Sequence, residues 1–140
     1  ETRGQLSGLQ LAHGRGHVAR AVVEGLVFEL NRHLDFLRNA GLPLCELVMS
    51  GGAASSQVTA RVAADVTGLR LHCVSGGEAS LLGAAIIARG LLEPQTALVD
   101  LADALAPPLQ IVEPGADAHF YQRQYEYYRR SLPDNGGKRP

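Results

Sequence analysis

The stretch Cys45-Glu46-Leu47-Val48-Met49-Ser50-Gly51-Gly52-Ala53-Ala54-Ser55-Ser56 decides the fold. A short, mostly apolar run ends at a Gly-Gly turn, and a helical pattern follows from about Ala54 to Thr67, closed by Gly68. An apolar run this short, bounded by turn residues, reads as a buried strand. The unit then recurs. Leu69 to Val74 reads as a second strand, Ser75-Gly76-Gly77 as a second turn, and Glu78 to Arg89 as a helix closed by Gly90. Two strand–turn–helix units in succession imply parallel strands joined by right-handed crossovers. The expected class is therefore α/β, with short parallel strands covered by helices on both faces. Two copies are too few for a solenoid, so the echo of Ser50–Ser55 in Ser75–Ser80 is a shared turn geometry.

Upstream, Val18, Val22, Val23, Leu26, Val27, Leu30, Leu34 and Leu37 recur at helical spacing between Gly14 and Ala40. So broad a stripe predicts burial on more than one side. Asn39-Ala40-Gly41 and Pro43 stop this helix. Downstream, Pro94 to Ala106 reads as a helix, Leu109 to Val112 as an edge strand and Ala116 to Leu132 as a last helix. That helix carries five of the seven aromatics (Phe120, Tyr121, Tyr125, Tyr127 and Tyr128), which are expected to pack it onto the body. The folded unit spans 1–132, and the polar, Gly- and Pro-rich segment 133–140 reads as a flexible tail.

The 140 residues suit one domain, and 46% hydrophobic with 19% charged residues excludes a disordered chain. No apolar run approaches the roughly 18 residues of a membrane helix, so no membrane partner is expected. A net charge of −1 argues against a nucleic-acid partner. Two cysteines cannot make a disulfide framework, which points to a reducing, cytoplasmic setting. The chain opens at Glu1 rather than Met, and it is expected to be the end of a longer protein. Lys138 is the single lysine, and no Walker-type phosphate loop is present.

The Gly51-Gly52 turn is the best candidate site. In open α/β sheets ligands sit beyond the carboxyl ends of the strands, and a glycine pair lets backbone N–H groups approach a phosphate or ribose. Ser55 and Ser56 add hydroxyls one turn in. The same residues also suit a plain tight turn without a ligand. Glu78 beside the second turn would repel phosphate and instead suits a helix N-terminus. His13 and His17 are four apart but lack a third metal ligand. Arg20 and Glu24 are spaced for an ion pair, and Gly25 and Gly83 suggest close helix packing. Cys45 and Cys73 fall in strands expected to be buried, and Asp65 reads as structural. No general base is evident in this chain.

Four motifs in order resemble the FGGY carbohydrate kinases, sugar kinases of the actin/hexokinase-like (ribonuclease H-like) superfold. The first runs from Gly4 through Leu6, Gly8-Leu9 and His17-Val18 to Arg20-Ala21-Val22-Val23-Glu24-Gly25. Ser50-Gly51-Gly52-Ala53-Ala54-Ser55 is similar to the family's adenosine motif, with Ala53 where a third glycine is frequent. Ala64-Asp65-Val66-Thr67-Gly68 and the run from Glu78 to Leu82-Gly83-Ala84-Ala85 complete the series. The resemblance implies the final part of the C-terminal lobe of a xylulokinase-like enzyme. It implies a nucleotide-binding set of Gly51, Gly52, Ala53, Ser55 and Ser56, with Ser56 near the ribose or adenine. The catalytic aspartate and the hairpins that hold Mg²⁺ and the ATP phosphates belong to other parts of the family fold. ATP/ADP is the expected partner, with a ketose such as xylulose, or a polyol, held by the missing lobe. An apolar face exposed by the cut is expected to drive self-association into a homo-oligomer. The rival reading is a stand-alone, non-catalytic actin-like module for nucleotide or protein binding.

Overall fold

The computed structural model describes residues 4–74 and 79–132. The second turn, with Glu78, and the 133–140 tail lie outside the described residues. The elements run α1 (Arg15–Asn39), β1 (Glu46–Met49), α2 (Gln57–Thr67), β2 (Arg70–Val74), α3 (Ala79–Leu92), α4 (Leu98–Leu105), β3 (Leu109–Val112) and α5 (Ala118–Ser131). β1 and β2 are parallel, with Glu46 opposite Arg70 and Met49 opposite Cys73. β3 adds antiparallel to the other side of β2, with Leu71 opposite Val112 and Val74 opposite Leu109. The class is α/β, with the parallel pair and the edge strand where the sequence predicts them.

Successive strand residues point to opposite faces. Leu71, Cys73 and Val112 are buried with Ala60, Val62, Ala63, Ala64 and Val66 of α2, and this cluster is the core. Three alanines on α2 let its backbone come close to its neighbours. Val27 and Phe28 of α1 and Tyr121 and Tyr125 of α5 close the core from outside. α1 also caps the far end of α2. Asn31 Nδ2 donates to the Val66 carbonyl at 3.4 Å and Arg38 Nη2 to the Thr67 carbonyl at 3.1 Å, so carbonyls that the helix leaves unpaired find partners. Gly68 then turns the chain at φ 67°, a left-handed cap that glycine takes without strain.

Coverage is one-sided, which corrects two expectations. The second sheet face carries Val48, Leu109 and Ile111, all exposed (Val48 at 72%), so helices do not cover both faces. It is edged by charge: His72 Nε2 lies 2.8 Å from Glu46 Oε2, and Arg70 Nε donates to Glu113 Oε1 at 2.6 Å. α1 likewise buries only Val27, Phe28, Asn31 and Leu34, while Leu26 and Phe36 stay about 70% exposed. Its broad stripe therefore has one covered side. Among the described residues, neither surface has an element left to pack against it.

The glycines differ from expectation too. A Cβ at Gly25 or Gly83 would meet nothing within 4 Å, so neither marks close packing. Gly90 does not end α3, which runs on to Leu92 before Glu93-Pro94. A Cβ there would lie 2.6 Å from Leu98 Cδ2, so Gly90 is the point where α4 seats on α3. α4 itself begins only at Leu98. Among the described residues, no helix is long and apolar enough to cross a membrane.

Candidate functional site

The turn after β1 is longer than the sequence predicts. Gly51 sits at φ 76°, a region side chains rarely adopt. Its carbonyl accepts from Ala54 N at 3.1 Å, and the Ala53 carbonyl accepts from Ser56 N at 3.3 Å. These bonds hold 53–55 out of the helix, so α2 starts at Gln57 rather than Ala54. Ser56 is its N-cap: the backbone is extended and Oγ accepts from Thr59 N at 3.3 Å. Ala54 is buried in the core and anchors the turn from below.

All five predicted residues thus come together. Gly52, Ala53 and Ser55 are exposed at the carboxyl end of β1, with Gly51 and Ser56 half-buried beside them. Ser56 already accepts one bond as the helix cap. A Cβ at Gly52 would meet no protein atom, so nothing in the chain's own packing requires glycine there. No acidic residue stands in the first turn of α2.

A cavity of about 420 Å³ is lined by Arg20, Gln57, Val58, Arg61, Gln110 and Val112; it meets the turn segment only through Gln57, the residue that follows Ser56. No carboxylate is among these residues. Arg61 Nη1 donates to the Glu113 carbonyl at 2.8 Å. Arg20 is held twice: Nε donates to Glu24 Oε1 at 2.9 Å, and Nη2 donates to the Tyr121 hydroxyl at 2.6 Å. That hydroxyl in turn donates to Glu24 Oε1 at 2.7 Å. The Tyr121 bond first, and Glu24 second, push the Arg20 pKa above its ordinary value. Burial is the main cause that raises the Tyr121 phenol.

The sequence marks Arg20 as half of an ion pair and as part of the Arg20–Gly25 motif, not as a cavity residue, and it does not single out Gln57, Arg61 or Gln110. The spacing of Gln57 and Arg61, four apart on the helix after the Gly-Gly turn, was a usable signal for two of them. Gln110 had none, because only the sheet brings β3 to this place.

Other candidates resolve into structural roles. Asp65 is buried, and its Oδ1 accepts from Gly115 N at 2.5 Å, tying the approach to α5 onto α2. Cys73 is buried, and burial raises its thiol pKa, away from the reactive thiolate. Cys45, expected to be buried, is exposed, since β1 begins only at Glu46. His13 and His17 flank the start of α1, and their Nδ1 atoms accept from Gln10 N and Gly14 N, each at 3.1 Å. Among the described residues, no group of three His, Cys, Asp or Glu could hold a metal ion.

The α/β unit thus presents an exposed glycine turn at the carboxyl end of its parallel strand pair and, along the first turns of α2, a cavity whose lining carries no carboxylate. Residues 1–89 match the model of the FGGY family of carbohydrate kinases, C-terminal domain, and the chain belongs to that family. It is 32% identical over 126 residues to the L-xylulose/3-keto-L-gulonate kinase of Escherichia coli, covering 89% of this chain and 25% of that protein. It is also 32% identical over 132 residues to the xylulose kinase of Escherichia coli, covering 93% of this chain and 27% of that protein. The crystal structure of xylulose kinase from Rhodospirillum rubrum shares the fold, with a TM-score of 0.76 and 24% identity over 92% of this chain and 26% of that one. The chain spans about a quarter of the length of the curated relatives it matches. The expected actin/hexokinase-like lobe is the fold observed.

Proposed function

We propose that this chain is the adenosine-binding part of an ATP-dependent sugar kinase, which phosphorylates a hydroxyl of a ketose such as xylulose, or of a polyol. The observation that carries this reading is the turn with exposed Gly52, Ala53 and Ser55, which leads through the Ser56 cap straight into Gln57, the first α2 residue of the cavity shared with Arg20, Arg61 and Gln110. The cavity volume falls within the roughly 300–1,000 Å³ common for small-molecule sites. Planar guanidinium groups stack on aromatic rings, and carboxamides of the Gln type pair with the edge of adenine. Val58 and Val112 add apolar surface for the base.

Ribose and the first phosphate would lie over Gly52 and Ala53, where backbone N–H groups are accessible and no Cβ at Gly52 intrudes. ATP supplies the phosphoryl group that is transferred. The residues fit its adenosine end. They do not fit Mg²⁺, for which the described residues offer no ligand cluster, so we assign the metal, the outer phosphates, the general base and the sugar to the remainder of the full-length kinase. The names of the two Escherichia coli relatives support a ketose or a related sugar acid as substrate.

The test is ATP-dependent phosphorylation by the full-length protein over a panel of ketoses, sugar acids and polyols, with wild type and Gly52→Leu compared. The substitution is expected to raise KM for ATP about tenfold or more, roughly 1.4 kcal/mol of binding, with KM for the sugar unchanged. An unchanged KM for ATP would remove the turn from the nucleotide site.

A further inference from the structure

We infer that Tyr121 is a positioning residue for the nucleotide: its hydroxyl fixes the Arg20 guanidinium on the cavity wall. The inference rests on the reading that this cavity takes adenosine.

Three tyrosines of α5 donate to carboxylates of α1. Tyr121 donates to Glu24 and Tyr125 to Asp35, each at 2.7 Å, and Tyr128 donates to Glu29. All three fasten one helix to the other. Only the first also binds an arginine that lines the cavity. Glu24 alone would leave Arg20 in an i,i+4 ion pair at a partly exposed site, which restrains a long side chain weakly. Tyr121 changes that because its ring is fixed in the core, 3% exposed, edge-on to Phe28 at 6.4 Å and to Phe120 at 5.3 Å. A position set by core packing is thereby passed to the guanidinium through Nη2, while Glu24 holds Nε. Two bonded nitrogens fix the plane of the group. Nη1 carries no bond among the described residues, so it and the planar face remain available to a base or ribose. Pre-set groups bind with less ordering cost than groups that must be immobilised by the ligand.

The three tyrosines supply their own controls. In the full-length protein, Tyr121→Phe, Tyr125→Phe and Tyr128→Phe each remove one hydroxyl and keep the ring. Tyr121→Phe is expected to raise KM for ATP, and Kd for ADP by calorimetry, about five- to tenfold, with kcat and the sugar KM unchanged. Tyr125→Phe and Tyr128→Phe are expected to lower Tm at least as much and to leave nucleotide affinity alone. Glu24→Gln keeps the side-chain shape, weakens the same triad, and should also raise Kd for ADP. If Tyr121→Phe shifts only Tm, or if all three tyrosine variants weaken ADP alike, Tyr121 is an ordinary helix fastener and the inference fails. Arg20→Ala separates the two levels. Weak ADP binding in Arg20→Ala with normal binding in Tyr121→Phe overturns the positioning role alone, whereas normal binding in Arg20→Ala overturns the cavity assignment as well.

Discussion

On one face of the sheet Leu71, Cys73 and Val112 are buried beneath α2, α1 and α5, while on the other Val48, Leu109 and Ile111, just as apolar, stay exposed. Residue type does not separate these faces, but available partners do. The covered side is also fastened by polar groups: Asn31 and Arg38 on the end of α2, and three tyrosine–carboxylate bonds between α5 and α1. The α3–α4 hairpin shows the same contrast. α3 is highly apolar yet has no buried residue, and its seat is α4, where Gly90 receives Leu98. Apolar area removes itself from water only where a complementary surface exists, and the described residues build the main one around α2 and a smaller one where α4 seats on α3 and buries Leu101.

The largest test sets the faces against each other. In the isolated chain Leu71→Ala should cost about 2–5 kcal/mol, and Val48→Ala less than about 0.5 kcal/mol, by chemical denaturation. Equal losses would mean that the exposed face is covered after all, by self-association or otherwise. Val48→Ala turning costly in the full-length protein would identify that face as the seat of the remaining chain.

The polar fastening gives the next effect, through pH. Burial first, and the Glu29 carboxylate second, push the Tyr128 phenol from 10.0 up to about 12. Tyr125 moves in the same direction, through burial and then Asp35. A phenol whose pKa is raised by folding stabilises the fold fully below pH 10 and loses that contribution as the pH climbs towards 12. Stability should therefore fall over that window, and Tyr125→Phe and Tyr128→Phe, which remove the titrating groups, should flatten the decline. Denaturation curves taken across the window decide it. A decline as steep in the double Phe variant would detach the tyrosines from the effect.

Gly25 gives the smallest. With open space where a Cβ would sit, Gly25→Ala should stabilise the isolated chain by about 0.5–1 kcal/mol through helix propensity. Thermal unfolding checks the sign. A loss instead would show that the uncovered side of α1 already packs against something.

Much of this molecule was legible from local pattern. The strand at Glu46–Met49 (one residue shorter than the Cys45–Met49 run), the turn at Gly51-Gly52, the helix ending at Gly68 and the parallel pairing all follow from hydrophobic period and turn chemistry. The candidate turn was readable for the same reason, since its five residues are neighbours along the chain. The boundaries were less so. Ala53–Ser55 stay out of α2 because the Gly51 and Ala53 carbonyls take the Ala54 and Ser56 amides, and a helical pattern cannot reveal that competition. The cavity was not legible as a unit. Arg20, Gln57, Arg61 and Gln110 come from two helices and a strand, and each alone is an ordinary polar residue.

By itself, then, the sequence determined the elements, their order, the glycine turn and the motifs that place the chain in its family, because bonds and periods spanning a few residues specify all of these. The tertiary structure alone decided which half of each apolar stripe is buried, that Gly90 rather than Gly25 is the close contact, and that Tyr121 reaches Arg20. Those outcomes depend on side chains up to 101 positions apart converging on one place, and packing geometry rather than local preference sets where they meet.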